Sequence, residues 1–91
     1  MSRTRVYSET TIGIMTRYYE AFDAAKENGR IRSITKFCDD NGIDKRHFYA
    51  QRKELSKGVF EVGWLVPLIR DCGVSSAWLL TGVGSMFNAE S

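Results

Sequence analysis

Proline and histidine each occur once in these 91 residues and cysteine twice. No apolar run comes near the ~20 residues that span a bilayer. A lone His47 excludes a multi-histidine metal site and reads as a surface or phosphate-contacting residue. Cys38 and Cys72 have no Cys-x-x-Cys partner and no neighbouring histidine, so they read as buried free thiols rather than a disulfide or metal pair. The basic start, Met1 to Val6, is not followed by an apolar stretch of ~7–15 residues, so no secretory signal is expected and a cytoplasmic location is. No Gly-rich phosphate loop is present, because Gly82-Val83-Gly84 follows a helical pattern and precedes none. The serines and threonines show no nucleophile–base arrangement. Asp39 and Asp40, as helical neighbours, diverge by ~100° and read as a solvated face. The expectation is therefore a protein that is not an enzyme and that uses no cofactor, no metal and no membrane.

Aromatic residues are not scarce: two Trp, five Phe and four Tyr supply enough large side chains for one modest core. No segment alternates at period two for long enough to argue a strand, and several show helical spacing. Five helices are expected, over residues 11–28, 33–41, 44–55, 63–72 and 75–80. Gly29, Gly42, Gly58, Gly73 and Gly82 stand after such stretches, where C-caps use glycine. Ser33 and Asp44 are good N-caps. Pro67 fits only if its helix starts just before it. Trp64, Trp78 and Leu79 read as core. Leu80, Met86 and Phe87 are read as a self-complementary patch that pairs two copies.

Net charge is only +2, but residues 30–57 hold eight basic side chains against four acidic ones. Within them, SITKFCDDNGIDKRHFYAQRKEL (residues 33–55) is two short helices meeting at Asn41-Gly42-Ile43-Asp44, with Phe37, Ile43 and Phe48 as apolar anchors. This is helix-turn-helix spacing, with Gly42 in the turn and the second helix presented to a DNA major groove. On a wheel stepped at ~100° per residue, Leu55 and Arg52 fall near Phe48, while Arg46, Ala50, Lys53 and Lys57 cluster opposite, with Tyr49 at the edge. Arg46 and Lys53 suit guanine O6 and N7, Ala50 a thymine methyl, and Tyr49 a phosphate or base edge. Lys45, Arg32, Lys36, Arg52 and Lys57 suit phosphates by number and length, and Ser33 adds a hydroxyl at a helix N-terminus.

The stretch FCDDNGIDKRHFYAQRK resembles the helix-turn-helix of lambda-repressor-like (XRE-type) regulators. GVSSAWLLTGVGSMF resembles the fourth-to-fifth-helix junction of prophage repressors in that superfamily, where Trp-Leu-Leu-Thr-Gly recurs. The resemblance covers most of residues 31–87. It implies an all-α, compact five-helix DNA-binding domain in which Lys45, Arg46, Tyr49, Ala50 and Lys53 read bases. Asn41 and Gln51 depart from it, standing where the family usually has aliphatic residues; the usual glutamine opening the second helix is also missing, with Ile34 near its place. These departures predict altered packing between the two helices.

The organisation expected is a flexible N-terminal arm over 1–10, a helix-turn-helix domain over 11–82 and a C-terminal tail over 83–91. Arg3 and Arg5 in the arm suit a minor groove or phosphates, or simply belong to a loose terminus. The function expected is sequence-specific transcriptional regulation, as a phage or mobile-element repressor, by a homodimer on double-stranded DNA. A small helical protein–protein adaptor or antitoxin-like module on the same scaffold is the alternative, and a sequence-independent nucleoid binder is a third reading.

Overall fold

A computed structural model describes residues 5–88. The described residues form β1 (Arg5–Val6), α1 (Glu9–Glu27), α2 (Ile34–Asn41), α3 (Lys45–Lys53), β2 (Lys57–Gly58), a single 3-10 turn (Val62–Trp64), α4 (Leu65–Cys72) and α5 (Ser76–Thr81). The chain is mostly helical, as its apolar spacing predicts. No described helix is long and apolar enough to cross a membrane.

Local chemistry explains most helix starts. Ser8, Ser33, Asp44 and Ser75 each accept a backbone N–H from the first turn of α1, α2, α3 and α5. A hydroxyl or carboxylate there satisfies a donor that the helix itself leaves unpaired. The helix α4 has no side-chain cap and grows out of the 3-10 turn instead. Pro67 sits in its first turn, where the missing N–H costs no helical bond.

The core is aromatic and centres on Phe48. Its ring lies 5.0 Å from that of Phe22, 5.1 Å from Tyr19 and 6.2 Å from both Tyr18 and Trp64. Met15, Ala21, Ala25, Phe37, Cys38, Leu65, Leu68, Val74 and Leu79 complete it, with Trp78 partly buried against it. Cys38 and Cys72 are both free and buried, and burial pushes both thiols up.

Four expectations need correcting. The chain has a strand pair after all: Arg5 pairs with Gly58 and Val6 with Lys57, antiparallel. Two residues a side are too few to leave a period-two pattern. The segment 5–10 is consequently not a loose arm, since Tyr7 N–H also donates to Ser56 O at 2.9 Å and α1 begins at Glu9. Arg3 lies outside the described residues, and of Arg5 only the backbone is described.

Gly58 caps no helix, because α3 ends at Lys53 and Gly58 belongs to β2. Residues 86–88 are docked rather than trailing: Ser75 N–H donates to Met86 O and Asn88 N–H to Gly73 O, both at 2.8 Å.

Candidate nucleic-acid interface

The candidate surface starts from the turn between α2 and α3. Gly42 takes a φ of 65°, which glycine adopts without a Cβ penalty, and this reverses the chain in three residues. Ile43 N–H then donates to Cys38 O at 2.9 Å, and the Ile43 side chain is buried. Asp44 opens α3, accepting from Arg46 N at 2.8 Å and His47 N at 3.3 Å. The Arg46 guanidinium, bonded to the other carboxylate oxygen at 3.3 Å, joins these N–H groups in holding the Asp44 carboxyl below its ordinary value.

From there α3 divides by face. Phe48 and Gln51 are its buried residues. Lys45, Arg46, His47, Tyr49, Ala50 and Lys53 are all exposed. The Arg46 side chain is 88% exposed. Lys45 Nζ donates to Thr35 Oγ1 at 3.0 Å, tying the start of α3 back to α2. From behind, Tyr19 OH donates to Phe48 O at 2.9 Å, fixing α3 against α1.

The residues assigned to phosphates do not form one set. Lys57, on β2, is exposed, and so is Arg32. Ser33 is engaged as the cap of α2, accepting from Lys36 N at 3.1 Å. Lys36 pairs with Asp40 at 3.0 Å. Arg32 and Lys36 line a groove of about 250 Å³ between α2 and α4, together with Asp40, Arg30 and the paired Arg70 and Asp71.

Arg52 is the clearest revision. It is ion-paired to Asp23 of α1, and its guanidinium lies 5.5 Å from the centre of the Tyr19 ring. The pair ties α3 to α1, and the contact to Asp23 was invisible at a separation of 29 residues.

The pairing patch also changes. Leu80 is 44% exposed, but Met86 and Phe87 pack against the core. Phe87 lies under the Arg30 guanidinium, 4.4 Å from ring centre to cation. Leu80 instead borders an apolar groove of about 690 Å³ together with Val6, Ile14, Phe60, Val62 and Leu65.

Two residues that sequence reasoning did not assign to the site govern its edge. Gln51 is buried beneath the loop that leaves α3, and its departure from an aliphatic residue was the signal. Tyr7 had none: its hydroxyl donates to Gly58 O at 3.1 Å and accepts Phe60 N–H at 2.9 Å. Among the described residues, no group of three or more His, Cys, Asp or Glu converges as a metal site. No family model matches the chain, and neither a curated protein nor a solved structure matches it.

Proposed function

We propose that α2, the turn at Gly42 and α3 act as a helix-turn-helix of the lambda-repressor-like kind, and that the chain is a sequence-specific DNA-binding regulator, a repressor of phage or mobile-element type. One observation carries the reading. The five residues expected to read bases, Lys45, Arg46, Tyr49, Ala50 and Lys53, all lie exposed on α3, while Phe48 anchors the opposite face in the core. A rod of this width fits a B-DNA major groove, and Ala50 permits close approach between longer donors. Lys57 and Arg32 then neutralise phosphate, and occupancy of a promoter represses it. The proposal involves no catalysis, cofactor or metal.

A homodimer on a two-fold operator belongs to the same proposal. Its pairing surface rests on Leu80 with Val6 and Val62, because Met86 and Phe87 are packed down. That same exposed apolar groove favours a second reading, an adaptor that binds another protein.

Selection from random duplex DNA at two salt concentrations decides between them. A regulator enriches one motif, and Arg46→Ala relaxes preference at one base pair, costing ~1–3 kcal/mol there. A nucleoid binder enriches nothing yet retains duplex, and an adaptor retains none.

A further inference from the structure

We propose that Gln51 is a positioning residue: its buried amide latches the loop leaving α3 and so sets Lys57 against the DNA backbone. The inference rests on the DNA-binding reading of α3.

Gln51 is 1% exposed. Its Nε2 lies 3.2 Å from Lys57 O, 3.3 Å from Glu54 O and 3.4 Å from Leu55 O, with Met15 Sδ at 3.3 Å. Two amide hydrogens are thus shared among three loop carbonyls and a thioether. The opposite amide orientation would set Oε1 against those same carbonyl oxygens, so the network fixes which end points where. Oε1 is buried and has no hydrogen-bond partner.

That acceptor sits against Gly58, whose φ is 141°, and a Cβ on Gly58 would collide with it. Glycine is required there twice over, by the backbone and by the amide.

The glutamine carries a cost that its donor offsets. Burying an acceptor without a donor is unfavourable, and an aliphatic side chain would avoid it. What the amide supplies, and no aliphatic residue can, is a donor for the carbonyls of Glu54, Leu55 and Lys57. The outer side of the same loop is held by the β1 pairing and by the Tyr7 hydroxyl. Lys57 is therefore clamped from both sides while its side chain stays exposed. A cation on a pre-set backbone loses less freedom when it meets a phosphate.

Gln51→Leu tests this, measured with Lys57→Ala and the double variant. Binding to the selected duplex is followed from low to high salt, and backbone hydrogen exchange is read at Tyr7 and Phe60. The expected result for Gln51→Leu is a folded protein whose Tyr7 and Phe60 amides exchange faster. Its base preference is unchanged and its salt slope falls by up to about 0.9, the share of one phosphate contact. In the Lys57→Ala background the same change costs no further affinity. Full slope and affinity in Gln51→Leu, or additive losses with Lys57→Ala, overturn the latch while leaving the DNA reading intact. No binding by the unaltered chain overturns both. If the leucine variant does not fold, Gln51→Met, unbranched and of similar length, takes its place with the same expected readouts.

Discussion

The cations of this protein do two different things in two regions. On the outer face of α3, Arg46 and Lys53 project into solvent, with the exposed Asp44 paired to Arg46. At the ends of α5 and α4, by contrast, arginines are bound to backbone carbonyls. Arg17 Nε donates to Leu79 O at 2.8 Å, and Arg30 Nη1 donates to Cys72 O at 2.6 Å. Helix C-termini present carbonyls that lack intrahelical donors and carry partial negative charge, so a cation there satisfies both. The side-chain chemistry is shared; the waiting partner differs. Counting basic residues therefore says little about a binding face until those serving helix ends and ion pairs, Arg17, Arg30 and Arg52 among them, are set aside.

The sharpest contrast lies within α3 itself, between adjacent residues. Phe48→Ala should remove the centre of the aromatic core and cost about 3–5 kcal/mol of stability, enough to unfold most of a marginal domain. Tyr49 is half exposed, and Tyr49→Ala should shift the denaturant midpoint little while weakening binding to the selected duplex. Equilibrium unfolding of both variants checks the pair. Equal destabilisation would mean that α3 does not divide into a packed and a presented side.

Next in size is the division among arginines. Arg17→Ala removes a charge-assisted bond in a part-buried setting. Such bonds contribute about 1.5–3 kcal/mol, and partial exposure brings the expected loss to about 1–2 kcal/mol. Arg46→Ala should stay within about 0.5 kcal/mol, as surface changes usually do. Thermal melts separate the two, and duplex binding should rank them in reverse order. A protein in which Arg46→Ala melts earlier than Arg17→Ala would break the comparison.

What the sequence made legible follows the range of the interactions. Ser33, Asp44 and Ser75 cap helices through bonds two or three residues away, so α2, α3 and α5 were readable nearly to their ends. The two faces of α3 were readable because a helical period needs only nine residues to show itself. The strand pair was not, since Tyr7 meets Gly58 across 51 positions and each strand has two residues. Nor were the arginine caps, whose partners lie 62 and 42 residues away. Gln51 falls between these cases: its place on the inner face was readable, but its purpose needed Gly58 and the loop carbonyls beside it. Of the candidate site, the exposed side of α3 could be read from the wheel as far as Lys53, but Lys57 could not, because the helix ends before it and Lys57 lies on β2. Nor could the pairing of Arg52 with Asp23, 29 residues away.

The smallest expected effect concerns Asp44, which touches both sides of the comparison by capping α3 and holding Arg46. Its carboxyl is lowered chiefly by the Arg46 side chain, with help from the N–H groups of His47 and Arg46. A carboxyl lowered by folding adds stability that is present above its unfolded value of about 3.9 and is lost as pH falls through the lower folded value. Asp44→Asn keeps a capping oxygen but no titrating charge. The variant should therefore lose less stability than the parent as pH falls below about 4. At neutral pH it should bind the selected duplex somewhat more tightly, because Arg46 no longer exchanges a carboxylate for a base and one repelling charge is gone. Acid titrations of the two proteins followed by circular dichroism, with binding measured at pH 7, read both effects. Coincident acid limbs would remove Asp44 as a titrating contributor. Weaker binding by Asp44→Asn would mean that the carboxylate aims Arg46 rather than restraining it.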